Sequence, residues 1–205
     1  MNNNKLRLFL ITILISPIAL TNEFSAMTLN VDNLFDTLDD KNKDDKAYLP
    51  IEAKTSKNHI KSCNNIKVKS WKNECLFLDW DIETKNVKLK NLATSIISYD
   101  KSGADIIALQ EVENLNILNQ LFDLLEPFGY QDVMLIEGKD YRGIDTALIS
   151  KYKILDAKLH YITFSGKFEG KDTRPILDAT IDVNGSKVKI YNVHFPSGFH
   201  DVSMR

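Results

Sequence analysis

Four residues at or near the ends of apolar runs form the most reactive combination in this chain: Asn30, Glu111, Asn192 and His194. A carboxylate is a hard oxygen ligand, and Mg²⁺ is commonly held by one or two carboxylates together with substrate phosphate oxygens. An imidazole, with an ordinary pKa of about 6.5, gives or takes a proton near neutral pH. Amides add donors and acceptors without adding charge. Together these types suit a divalent cation and a phosphoryl group. Each also has a plainer reading. An acid after a buried strand complements the positive N-terminus of the next helix, and a lone strand histidine is often just a hydrogen-bonded structural residue.

The elements that would position them can be read from periodicity. Ile106, Ile107, Ala108 and Leu109 form a short apolar run after Gly103, which suits a strand buried on both faces and delivers Glu111 at its end. In mixed α/β folds, ligands collect outside the carboxyl ends of strands. Met27, Leu29 and Val31 alternate with polar residues, predicting a strand whose one face carries Asn30 and Asp32. Leu89, Leu92, Ala93, Ile96 and Ile97 recur at helical spacing, with Lys85, Lys88 and Lys90 mostly on the other side. Asn114 is a suitable N-cap for a second helix with Leu115, Leu118, Leu121, Phe122 and Leu125 on its apolar face, closed by Pro127 and Gly129.

The second half of the chain is strand-rich. Val133 and Leu135, then Ile144 to Ile149, mark two strands joined through residues 138–143, a turn that carries Tyr141 and Arg142. Residues 154–164 read as a third. Leu177, Ala179, Ile181 and Val183 lead into Asn184-Gly185, the strongest short hairpin signal. The return strand aligns Val188, Ile190, Asn192 and His194 on one face.

The 205 residues fit one domain with a sizeable core, and 43% hydrophobic with 26% charged residues is ordinary globular composition. A net charge of −2 gives no bulk signal for polyanion binding, although a local basic patch can still supply it. Lys5 and Arg7 precede an apolar run from Leu8 to Leu20 that is short for a membrane span and contains Pro17. Residues 1–26 therefore read as a signal peptide cut near 21–26, with a retained anchor as the alternative. The protein is expected to be periplasmic or secreted, with no stable span after cleavage.

Residues 37–82 form a polar, cysteine-containing insert. Asp40, Asn42 and Asp44 have the spacing of a calcium loop, but Asp45 and Ile51 stand where such a loop wants glycine and glutamate. A solvated turn is the better reading. Lys54, Lys57, Lys61, Lys67, Lys69 and Lys72 could meet a phosphate backbone or simply be solvated. Cys63 and Cys75 are the only cysteines, and in an exported protein they are expected to pair, a link that stabilises by roughly 3 kcal/mol. The rival is zinc, for which His59 would supply only a third ligand.

Five stretches, in order, resemble the endonuclease/exonuclease/phosphatase superfamily, which includes the deoxyribonuclease I-like enzymes: TLNVDNLFD (28–36), ADIIALQEVEN (104–114), YRGIDTALIS (141–150), TRPILDATI (173–181) and NVHFPSG (192–198). The resemblance implies a four-layered α/β/β/α sandwich over residues 27–205. It implies that Glu111 binds the cation, and that Asn30 helps position the cation or the substrate phosphate. His194 would contact the scissile phosphate, Arg142 and Arg174 would clamp phosphate, Asn192 would contact substrate, and Asp145 would orient a catalytic group. The cofactor would be Mg²⁺, with Mn²⁺ or Ca²⁺ also acceptable to oxygen ligands. The substrate would be nucleic acid, DNA or RNA, with a lipid head group or phosphorylated small molecule as the alternative.

Members of the superfamily carry an Asp-x-Asn motif and an Asp-His pair after the stretch matching NVHFPSG, and neither occurs in residues 199–205. The expectation is therefore an N-terminal fragment, incomplete at its C-terminus and inactive as it stands, or else a non-catalytic remnant or binding module.

Overall fold

The computed structural model describes residues 23–170 and 173–196. In chain order these form β1 (Ala26–Leu34), α1 (Lys57–Asn64), α2 (Lys69–Phe77), α3 (Ile82–Ser98), β2 (Ile106–Val112), α4 (Leu115–Leu125), β3 (Asp132–Leu135), β4 (Asp145–Ser150), β5 (Lys153–His160), β6 (Ile176–Val183) and β7 (Ser186–Asn192). One sheet has the order β1-β2-β4-β3, and the other β5-β6-β7. β1 and β2 are parallel, while the remaining pairs are antiparallel. A parallel pair needs a crossover, and α3 lies within this one.

Two hydrophobic cores define the layers. Leu89, Ala93 and Ile96 of α3 and Ile117, Leu118, Leu121 and Leu125 of α4 pack with Ile107, Leu109, Ala147 and Ile149 of the first sheet. The opposite side of that sheet offers Ile106 and Leu148 to Leu177, Ala179, Ile181 and Val183 of the second. β2 is thus buried from both sides, as its apolar run predicts. Each side chain so buried contributes about 1.5–3 kcal/mol. The described residues supply three layers of the α/β/β/α sandwich. The outer face of the second sheet is polar, with Asp178 held by His160 at 2.9 Å and Lys189 at 2.8 Å.

Local signals explain the framework. Asn114 caps α4 by accepting from Ile117 N at 3.0 Å, and Asp81 caps α3 by accepting from Thr84 N at 2.7 Å. Asn184 and Gly185, with φ of 52° and 86°, make the tight hairpin between β6 and β7. The phase of α4 differs by one contact from the periodic reading: Leu115 is exposed, and Ile117 takes its place in the core.

The expected leader falls mainly on residues 1–22, which lie outside the described residues. Ser25 and Ala26, at its end, take part in the first sheet: Ala26 pairs with Ile106, and Ser25 bonds Asp105 through both its amide and its hydroxyl. No helix among the described residues is long and apolar enough to cross a membrane.

The insert is a small helical unit. A disulfide joins Cys63 of α1 to Cys75 of α2. His59 lies beside both sulfurs, but sulfurs bonded to each other offer no thiolate to zinc. Phe35 stacks on Tyr48, and Tyr48 meets Trp80 edge-on, so an aromatic cluster with Ile144 docks the insert on the sheet end. Lys54 is buried and donates to the carbonyls of Ala47, Glu74 and Leu78. Burial lowers its pKa to about 8. It is a helix-end cap and not part of a basic surface. At the start of the insert, Lys41, Asn42 and Asp44 are exposed, as the solvated turn predicts, but Asp45 is only 1% exposed.

Candidate metal and phosphate site

Both parallel strands leave regular geometry at the same end. Asp32, Asn33 and Glu111 take φ of 54°, 63° and 68°, and the pairing register shifts between Asn30 and Leu34 and between Gln110 and Val112. Left-handed conformations at non-glycine residues cost of order 1 kcal/mol each. The consequence is positional. Ile107 and Leu109 are followed into the helix-side core by Val112, so Glu111 is displaced from the alternation. The period-2 alternation of β1 holds as far as Asp32, since Asn30 and Asp32 are exposed on either side of buried Val31, and it breaks only after Asp32, where partly buried Asn33 is followed by buried Leu34.

The freed carboxylate is held by β1 and by His194. Glu111 Oε1 accepts from Asn30 Nδ2 at 3.1 Å, and Oε2 accepts from Asn33 N at 3.0 Å. Asn30 is oriented in turn by Asp32 N, which donates to its Oδ1 at 2.8 Å. His194 Nε2 lies 3.3 Å from Glu111 Oε1, and its Nδ1 is buried without a hydrogen-bond partner. The hydrogen bond from His194, reinforced by Asn30 and by the charges of His194 and Arg142, outweighs desolvation and lowers the Glu111 pKa to about 2. None of these partners belongs to α4, whose N-terminus Asn114 already caps. Helix capping therefore does not account for Glu111. An ionised carboxylate is a ligand type that fits a hard divalent cation, and Asn30 turns its amide nitrogen to it and its oxygen to Asp32 N.

Asn192 reaches this end of the molecule in a different role. It is 3% exposed. Its Nδ2 donates to Leu109 O at 2.7 Å and Ala147 O at 2.9 Å, and its Oδ1 accepts from Gln110 Nε2 at 2.7 Å. Both amide hydrogens are committed to main-chain carbonyls of the other sheet. The side chain ties the end of β7 to β2 and β4, and so positions the segment that carries His194.

Arg142 and Arg174 converge on Asp140. Arg142 Nε is 3.7 Å from Asp140 Oδ1, and Arg174 Nε is 3.3 Å from Oδ2 but without hydrogen-bond alignment. Arg142 acts electrostatically on Glu111, and Glu111 acts on Arg174. Two guanidinium groups therefore stand within electrostatic range of the carboxylate, and each offers a planar fork of donors to a phosphate.

Asp145 is 3% exposed and accepts from Gly138 N at 3.0 Å, while its Oδ2 has no partner. It holds the 138–143 turn and does not bond to Glu111 or His194. Burial, with Glu137 adding repulsion, pushes its pKa up to about 7. The unfolded value is about 3.9, so the folded state binds the proton more tightly, and stability falls as pH rises between these two values. Asp145→Asn is accordingly expected to flatten that slope and to raise stability at pH 8 by roughly 1–3 kcal/mol. Urea titrations at pH 5 and pH 8 check this, and parallel pH profiles for the two proteins would contradict it.

Two contributors are missed by the periodic reading. Lys88, assigned to the polar side of its helix, donates from Nζ to Asp32 O and lies 5.7 Å from the Trp80 ring centroid. Burial lowers its pKa, while Asp32 and Glu111 oppose that shift. Its i,i+4 relation to Leu92 places it at the border of the apolar stripe, and that was the available signal. Asn33 contributes its backbone N–H, and the signal there was the Asp32-Asn33 dipeptide, which tolerates left-handed backbone.

A sequence profile described as the Endonuclease/Exonuclease/phosphatase family matches residues 76–201. No curated protein matches the sequence. Among solved structures, a beta hairpin deletion mutant of beta toxin from Staphylococcus aureus is 15% identical over 88% of this chain and 53% of its own, with a TM-score of 0.45. A humanized D. rerio TDP2 is 15% identical over 87% of this chain and 53% of its own, at 0.44. An endonuclease/exonuclease/phosphatase family protein from Leptotrichia buccalis C-1013-b is 21% identical over 56% of this chain and 49% of its own, at 0.39. The chain spans about half the length of each.

Proposed function

The chain belongs to the endonuclease/exonuclease/phosphatase family, and from that premise we propose that it is an exported, metal-dependent phosphodiester hydrolase acting on nucleic acid. The observation that carries this reading is the grip on one carboxylate: Glu111 is held by Asn30, Asn33 and His194 and kept ionised. Glu111 and the Asn30 amide oxygen are the proposed ligands, with Mg²⁺ the proposed ion and Mn²⁺ or Ca²⁺ acceptable to the same oxygens. A cation held there would supply Lewis-acid stabilisation of charge on phosphorus-bound oxygens.

The protein's own groups do the rest in this proposal. Arg142 and Arg174 orient the phosphate, and Lys88 adds a third positive charge near the same point. His194, held beside Glu111 through Nε2, serves the phosphoryl group as a hydrogen-bond or proton donor. Asp145 acts indirectly, by fixing the turn that carries Arg142. Asn192 positions His194.

Nucleic acid is favoured by the surface of the insert. Lys57, Lys61, Lys67 and Lys69 are exposed on or beside α1 and α2, and Trp71, two residues after Lys69 in α2, is 62% exposed. Exposed cations and an exposed aromatic ring on one small helical unit suit a phosphate backbone and stacked bases. Export rests on the leader-like residues before Glu23, and the sheet contacts of Ser25 and Ala26 favour cleavage ahead of Ser25.

The test is a substrate panel with Mg²⁺ and a chain that also carries the family's Asp-x-Asn motif and Asp-His pair. Nicking of plasmid DNA or cleavage of RNA, abolished by EDTA, is expected. Hydrolysis of sphingomyelin or inositol phosphates without nucleic-acid cleavage would overturn the nuclease assignment. Absence of any turnover would favour a remnant or binding module.

A further inference from the structure

The loop that follows β1 carries a group of acids that the Glu111 site does not use. Asp40, Asp45 and Glu113 can each offer one carboxylate oxygen to a common point, with these oxygens within 4.8 Å of one another. Asp45 and Glu113 are 1% and 2% exposed. One oxygen of each is occupied: Asp45 Oδ2 accepts from Asp40 N at 2.7 Å, and Glu113 Oε2 accepts from Asp36 N at 2.7 Å. The other two, Asp45 Oδ1 and Glu113 Oε1, are buried with no hydrogen-bond partner.

The neighbouring groups do not compensate these acids. Lys43 is directed to Glu137 and the Asp140 carbonyl, and Lys46 to Asp44. Asp36 is itself satisfied, accepting from Leu38 N, Asn114 Nδ2 and Asn116 Nδ2. Buried carboxylate oxygens left unpaired are costly, and buried charges are normally paired or coordinate metals. The spacing is compatible with that outcome, because three oxygens no more than 4.8 Å apart can meet one ion at Ca²⁺–oxygen distances of about 2.3–2.6 Å. Three carboxylates favour Ca²⁺ over Mg²⁺, which prefers one or two and keeps its waters.

We propose that Asp40, Asp45 and Glu113 form a second divalent-cation site, for Ca²⁺, that clamps the loop after β1 to the end of β2. It is independent of the ion proposed at Glu111. Its ligands are not those of an alternating calcium loop, since two come from the loop and the third from the segment after β2. The same loop touches the turn of Arg142, with Asp44 N donating to Tyr141 O at 2.8 Å. Occupancy therefore steadies one of the proposed phosphate clamps.

The experiment is calorimetric titration of the full chain with CaCl₂ in a Glu111→Gln background, which removes the first site's charged ligand and keeps the two proposals separable. One saturable Ca²⁺ is expected there, with a Tm rise of about 5–10 °C at a hundredfold excess over Kd. Adding Asp45→Asn is expected to abolish both. Should that variant not fold, Asp40→Asn, at a partly exposed position, is expected to weaken binding at least tenfold. No Ca²⁺ binding in Glu111→Gln, or affinity unchanged by Asp45→Asn or Asp40→Asn, would overturn the proposal.

Discussion

Glu111→Gln is expected to lower metal-dependent phosphodiester hydrolysis at least about a thousandfold, in a chain carrying the full set of family motifs. The side chain is anionic across the working pH range, because hydrogen bonds from His194 and Asn30 hold its pKa at about 2. Glutamine keeps the shape and one acceptor but removes a full charge from the proposed ion and from the His194 contact. The loss should fall mainly on kcat, with KM much less affected, and circular dichroism should show the fold retained. Activity within threefold of the parent would place the ion elsewhere.

Asn192→Ala should be the most destabilising single change near the site, at about 2–4 kcal/mol. Three buried hydrogen bonds of 2.7–2.9 Å are lost at once. They join two sheets, so their loss is felt in both. Chemical denaturation measures it directly. The same experiment decides between this geometry and the substrate contact implied by family resemblance. A loss under about 0.5 kcal/mol with a selective rise in KM would favour the substrate contact.

Much of this arrangement is legible before any coordinates. The apolar run at 106–109, the Asn114 cap and the Asn184-Gly185 turn each act through local chemistry, so each leaves a local trace. Glu111 and His194 are legible for the same reason: a reactive side chain closes an apolar pattern. The bulges at Asp32-Asn33 and at Glu111 are not, because alternation reports which face is buried and says nothing of a residue forced into left-handed backbone. Asp45 reads as solvated because Glu113, which it meets in the fold, is remote in sequence, and because lysines alternate with the acids of its loop. Lys54 is misread for a related reason, since the carbonyls it caps belong to backbone that composition does not reveal. Asn192 marks the right place, but its role depends on carbonyls of a different sheet.

The central claim is that the cation binds at Glu111, next to His194, and paramagnetic broadening tests it without requiring turnover. Mn²⁺ added at substoichiometric amounts to the full chain is predicted to broaden the His194 ring proton signals, leaving those of His160, on the outer face of the second sheet, sharp. In Glu111→Gln the His194 signals should stay sharp at the same Mn²⁺ concentration. His194 signals that remain sharp in the parent, or broaden equally in Glu111→Gln, would contradict the assignment.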